Sequence, residues 1–148
     1  MIERESSGAA LHRWPVRVYY EDTDAGGVVY YANYLRFAER ARTEMMRELG
    51  ASHADMLETE GLSFVVARCE VDYLKPARLD DLLEVETRVI EVGGATLDAL
   101  QVIRRADDDI ARLKVRLACL NRAGQPRRIP AAVRTALHRF HQSEERVE

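Results

Sequence analysis

Tyr19-Tyr20-Glu21-Asp22-Thr23-Asp24-Ala25-Gly26-Gly27-Val28-Val29-Tyr30-Tyr31-Ala32-Asn33-Tyr34 is the stretch on which the fold turns. It reads as a strand end, a carboxylate-bearing loop with two glycines, and the first residues of a helix. The backbone N–H groups at a helix start have no partner within the helix and carry the positive end of its dipole. An Asp close to such an end sits beside a place where negative charge can be stabilised. That combination suits hydrolytic chemistry.

Working outward towards the C-terminus, the period changes near Tyr31. Tyr31, Tyr34, Leu35, Ala38, Ala41, Met45 and Leu49 recur at helical spacing, widened by Phe37 and Met46. Arg36, Glu39, Arg40, Glu44 and Arg47 occupy the other side, with Arg40 and Glu44 placed to pair at i, i+4. Gly50 is a natural stop. A wide apolar stripe on the longest helix of the chain predicts that it lies against a sheet. Ser52 to Glu60 predicts a short second helix, with Ser52 as cap and Asp55 three residues on.

Four alternating runs follow. Leu62 to Leu74 places Val65, Ala67, Cys69, Val71 and Tyr73 on one face, and Pro76 ends it. Leu82 to Val92 alternates through Leu83, Val85, Thr87 and Val89, and Gly93-Gly94 reads as a two-residue hairpin link. Ala95 to Arg104 is the next strand. Ile110 to Leu120 is the last, with Arg112, Lys114 and Arg116 outward. Pro130 opens a closing helix to about Phe140. Towards the N-terminus, Val16 to Tyr20 predicts a first strand ending near Asp22, and residues 1–14 read as a flexible arm. Residues 15–148 then form a single domain of the α+β class: a five-stranded antiparallel sheet wrapped around one long central helix.

Bulk properties narrow the function. With 148 residues, a 47% apolar fraction and 32% charge, the chain can bury a core of its own. A net charge of −3 does not mark a nucleic-acid binder. No apolar run reaches the roughly 20 residues of a membrane span, and the polar start lacks a signal-peptide pattern; a cytoplasmic location is expected. Cys69 and Cys119 lie in alternating apolar runs and read as buried thiols. His138 and His141 share a helix face but have no further ligands nearby, so no metal site is expected.

The loop, together with Ala32-Asn33-Tyr34, Glu39-Arg40-Ala41-Arg42-Thr43-Glu44 and Asp72-Tyr73-Leu74-Lys75-Pro76-Ala77-Arg78-Leu79-Asp80-Asp81, resembles the hotdog-fold thioesterases. The resemblance is to the YbgC-type and 4-hydroxybenzoyl-CoA thioesterase branch and spans about residues 15 to 130. It implies hydrolysis of an acyl-CoA thioester without cofactor or metal. It also implies a homodimer or homotetramer with sheets joined edge to edge, helices side by side, and active sites at the interface. By the motif, Asp24 is the catalytic carboxylate, as nucleophile or general base, and the Tyr31 N–H is the oxyanion donor. Many YbgC-type members carry histidine where this chain has Tyr31, which leaves the backbone donor intact. In the hydroxybenzoyl enzyme a basic turn between the second and third strands after the helix touches the nucleotide phosphates. Here that turn is Gly93-Gly94-Ala95, and Arg68, Lys75, Arg78, Arg127 and Arg128 are the remaining candidates.

Each residue also has a plainer reading. Asp22 and Asp24 can shape a turn or cap the helix, and Asp22 is assigned that role. Gly26 and Gly27 can permit positive φ and a close approach of backbone to the acyl group, with Val28 beside them, or be ordinary turn residues. Tyr20 can line an acyl pocket or belong to the core. Arg68 is a surface residue or a cation at the pocket rim. The competing functions are a non-catalytic module that holds acyl-CoA or an acyl carrier protein, and a scaffold for envelope-associated proteins. A haloacid-dehalogenase-type phosphatase would need a larger parallel sheet. An EF-hand would place Gly26 and Asn33 at ligand positions five and twelve, which neither can fill.

Overall fold

A computed structural model of the chain describes residues 1–5 and 10–141. Its strands are β1 Ile2–Arg4, β2 Ala10–Arg17, β3 Leu62–Tyr73, β4 Leu82–Val92, β5 Thr96–Arg105 and β6 Asp108–Asn121. They form one antiparallel sheet in the order β1-β2-β4-β5-β6-β3. The helices are α1 Asn33–Glu48, α2 His53–Glu60 and α3 Ala131–His141. α1 lies against β2, β4 and β5, and α3 against β4 and β2.

The α+β class and the wrapped helix agree with expectation, but the sheet has six strands, not five. The difference lies in the N-terminal arm. Residues 2–4 and 10–14 are sheet, and β2 starts six residues before the expected strand and ends at Arg17. Pro15 made the run look as if it began there. It is tolerated because β1 covers β2 only as far as His12, leaving an open edge at Pro15. Ser6 to Ala9 of the expected arm lie outside the described residues.

α1 begins two residues later than the period suggests. Its buried stripe is Tyr34, Phe37, Ala38, Ala41, Met45 and Met46, whereas Tyr31 and Leu35 are exposed. Glu44 pairs with Arg47 at i, i+3, not with Arg40. Ser52 caps α2 as expected, its Oγ accepting from Asp55 N–H at 3.1 Å, and Gly61 ends it at φ 65°. The β4–β5 link has three residues, Gly93 to Ala95.

β3 departs from simple alternation. Its register with β6 shifts between Val66 and Arg68, so Ala67 is an extra residue. Val66, Cys69, Val71 and Tyr73 stand opposite the buried Leu117, Val115, Leu113 and Ala111, and Val65 and Ala67 leave that face. Cys69 is exposed and Cys119 buried, so one of the two expected burials is corrected. As the last strand of the sheet, β3 has an edge with no neighbour among the described residues.

Candidate active site

The acidic loop is a stitched hairpin. A 3-10 turn at Tyr20–Asp22 precedes it, with the Tyr20 carbonyl accepting from Thr23 N–H at 3.1 Å and Thr23 Oγ1 at 2.8 Å. Thr23 bridges Val29, Asp24 N–H donates to the Val28 carbonyl at 2.8 Å, and Gly27 N–H donates to the Asp24 carbonyl at 3.1 Å. Val28 bridges Arg78, and Val29 N–H donates to the Ala77 carbonyl at 2.8 Å, which ties the hairpin to the segment after β3.

The two aspartates part company here. Asp22 is buried: Oδ2 accepts from Tyr19 N–H and Oδ1 from Asn33 Nδ2, both at 2.8 Å. Its carbonyl accepts from Tyr30 N–H at 2.9 Å. Asp24 is exposed. Its Oδ1 accepts from Gly26 N–H at 2.8 Å, while Oδ2 accepts nothing among the described residues. Burial with full hydrogen bonding marks Asp22 as structural, and Asp24 keeps one carboxylate oxygen open.

Tyr31 stands just before α1. Its N–H meets no acceptor among the described residues, and its carbonyl accepts from Tyr73 Oη at 3.2 Å. The helix cap is Ala32, which has no side-chain acceptor to fill the open amides. A cleft of about 290 Å³ opens beside them, lined by Val29, Tyr31, Tyr34 and the Tyr73–Pro76 segment. The Tyr73 ring is 6.2 Å from Tyr31, edge to face, and 5.7 Å from Tyr34. Tyr34 Oη accepts from Ala77 N–H at 3.1 Å. Burial pushes the Tyr34 and Tyr73 hydroxyls above the usual phenol range, so both stay neutral. A hydrogen bond with Tyr31 does the same for Tyr30.

Of the residues expected at the site, Asp24, Gly26, Gly27 and Val28 share the hairpin, and Tyr31 follows it by two residues after Val29. Gly27 has φ 78°, as anticipated; Gly26 is not in the left-handed region. Tyr20 belongs to neither core nor cleft, being 82% exposed. Arg68 is exposed on β3, where it pairs with Glu70 at 2.5 Å on the face away from the buried side of the sheet. Tyr73, Leu74, Lys75 and Pro76 were legible only as a strand end and a break, and the fold brings them to Tyr31. Lys75 is engaged by Asp108 at 2.9 Å. Arg128 lies against the cation-free turn, its guanidinium 3.6 Å from where a Gly94 Cβ would sit, and Arg134 donates to the Gly93 carbonyl. Arg134 was not among the cations expected. Among the described residues, no cluster of three or more His, Cys, Asp or Glu side chains could hold a metal ion.

The family model described as the thioesterase-like superfamily matches residues 18–137. The acyl-CoA thioesterase YbgC of Haemophilus influenzae is 48% identical over 126 residues, covering 84% of this chain and 93% of the relative. The acyl-CoA thioester hydrolase YbgC of Escherichia coli O6:H1 is 45% identical over 125 residues, covering 83% and 92%. A solved structure from Bartonella henselae is 39% identical with a TM-score of 0.78, covering 81% of this chain and 99% of that one.

Proposed function

We propose, for a chain that belongs to the thioesterase-like superfamily and is an acyl-CoA thioesterase, that Asp24 and the Tyr31 N–H carry the hydrolysis between them. The observation behind this reading is two open groups within eight residues: a carboxylate oxygen at Asp24 on the hairpin and, just after it, an amide at Tyr31 with no acceptor among the described residues.

In one route the Asp24 carboxylate attacks the thioester carbonyl carbon. The carbonyl electron pair moves onto oxygen, where the Tyr31 N–H stabilises it. Collapse breaks the C–S bond, the CoA thiolate leaves and takes a proton, and water hydrolyses the resulting mixed anhydride. In the other route Asp24 takes a proton from water as that water attacks. Both demand the same two groups. Holding Asp24 Oδ1 on Gly26 N–H orients the carboxylate and leaves Oδ2 to react. The tyrosine-lined cleft is the acyl pocket in this reading, with Gly26, Gly27 and Val28 at its approach.

The assembly we propose is a homodimer joined through β3, whose outer edge is open and whose concave side exposes Val66 and Tyr73. For the nucleotide phosphates we favour Arg128 with Arg134, because they stand beside the turn that has no charge of its own. The test is thiol release across a panel of acyl-CoAs. Asp24→Asn is expected to lower kcat at least about a hundredfold, in line with loss of a nucleophile or base. Wild-type turnover in that variant removes Asp24 from the mechanism.

A further inference from the structure

A peptide N–H can stabilise an oxyanion only if its plane is held to within about 10–20° of the productive direction. The Tyr30–Tyr31 peptide is held through its carbonyl, which accepts from Asn33 N–H at 2.8 Å, and the preceding Val29–Tyr30 peptide is held by Tyr30 N–H donating to the Asp22 carbonyl at 2.9 Å. In a trans peptide the C=O and the following N–H point in opposite directions. Fixing the Tyr30 carbonyl on Asn33 therefore turns the Tyr31 N–H away from α1, where no acceptor among the described residues competes for it. What holds Asn33 in turn is its side chain. Nδ2 donates to Asp22 Oδ1 at 2.8 Å, and the two residues are only 7% and 4% exposed. The second carboxylate oxygen of Asp22 is fixed by Tyr19 N–H at 2.8 Å, which anchors the pair to the chain before the loop.

We propose that Asp22 and Asn33 are positioning residues for thioester hydrolysis, acting as a buried side-chain clamp that aims the Tyr31 N–H. This inference rests on the reading of the Tyr31 amide as oxyanion donor. Asp22 touches no reacting atom; it acts through Asn33 and Tyr30. A cap side chain at position 32 would accept from the amides of residues 34 and 35 and would leave the Tyr31 peptide unheld. The acidic side chain brought from 11 residues before Asn33 instead fixes Asn33, on which the Tyr30 carbonyl rests.

The experiment compares Asn33→Ala, Asp22→Asn, the exchange Asp22→Asn/Asn33→Asp, and Asp24→Asn. For each variant, steady-state thiol release is measured, with affinity and stoichiometry for a non-hydrolysable acyl-CoA thioether and thermal unfolding alongside. Asn33→Ala is expected to lower kcat about tenfold to a hundredfold, less than outright loss of a donor. KM and thioether affinity should stay within about twofold, because ground-state binding does not use the oxyanion contact. The exchange reverses donor and acceptor: the new amide oxygen at 22 keeps Tyr19 N–H, and its NH₂ donates to the new carboxylate at 33. It is expected to recover most of kcat, and it carries the test if Asn33→Ala does not fold. Wild-type kcat in folded Asn33→Ala overturns the proposal, as does a loss matched by an equal fall in thioether-binding stoichiometry that the exchange fails to restore. An active Asp24→Asn would instead sink the underlying reading of the loop. An inactive Asp24→Asn beside a fully active Asn33→Ala would sink the clamp alone.

Discussion

Gly26 and Gly27 are neighbours with different reasons to be glycine. A Cβ on Gly26 would sit 3.2 Å from Asp24 Oδ1, tight enough to press the carboxylate aside by a few tenths of an ångström. A Cβ on Gly27 would meet nothing within 4 Å, but the backbone there has φ 78°. Gly26→Ala is therefore expected to lower kcat several-fold with little change in melting temperature, since 1 Å-scale misplacement of a reacting group is already costly. Gly27→Ala is expected to lose about 1 kcal/mol of stability from left-handed strain, read from urea midpoints. The motif made both positions visible as turn glycines; it could not separate them, because the distinction lies in a side-chain contact and a torsion. Asp24 was legible from the loop and its resemblance. Val65 and Ala67 were misread for a different reason. Alternation assigns faces by parity, and the extra residue at Ala67 breaks parity in the middle of β3, so Val66 and not Val65 shares a face with Cys69.

At the scale of elements, α1 is tied to the sheet by more than its apolar stripe. Arg42, largely buried, donates to Gln101 Oε1 at 2.9 Å, and Gln101 Nε2 donates to the Ala38 carbonyl at 2.9 Å and to Thr87 Oγ1 at 3.0 Å. Burial holds the Arg42 guanidinium below its usual pKa against the attraction of Glu39, and the Gln101 oxygen accepts from this still-charged group. Gln101→Leu leaves the guanidinium, a hydroxyl and a carbonyl with fewer partners and is expected to cost about 2–3 kcal/mol in urea unfolding. Arg42→Met combined with Gln101→Leu should cost less than Gln101→Leu alone, because no buried charge remains unpaired. The helix, its length and its apolar residues could be read from period alone. The network could not: Gln101 looks like one more polar position in an alternating strand, and only β4–β5 register brings it opposite Thr87. The N-terminal strands were missed for a similar reason. Residues 2–4 pair only through His12 and its neighbours on β2, a partnership that short polar segments do not advertise.

At the scale of the whole molecule, two contacts link distant parts of the chain to its stability and assembly. His12 is fully buried, 3.3 Å from Glu48 at the end of α1. Burial, aided by the Met1 amino group 3.2 Å away, pulls its pKa below 6.5 against the attraction of Glu48 and Glu44. Between that lowered value and 6.5 the unfolded chain binds more protons than the folded one, so stability falls as pH drops through this window. Melting temperature is expected to decline between about pH 7 and pH 5, and His12→Gln should flatten that decline. The second contact is the open edge. α1 leaves the core side of β3 exposed at Val66, 50%, and Tyr73, 47%, and the outer edge of this 12-residue strand has no neighbour among the described residues. Native sheets rarely leave such an edge without a partner or a blocking charge. On its other face β3 carries Arg68, Glu70 and Asp72 beside Val65, so the less charged side is the one where α1 of a second copy could lie. The Tyr73 end of that strand also lines the cleft beside Tyr31, so the proposed interface and the proposed site have Tyr73 in common. Val66→Glu places a charge in the proposed interface without touching the cleft. Sedimentation should shift towards the monomer, and kcat should fall in proportion to the monomer fraction and recover at high protein concentration. Unchanged sedimentation would rule out pairing through β3. A monomer that retains full activity would show instead that each chain holds a complete site.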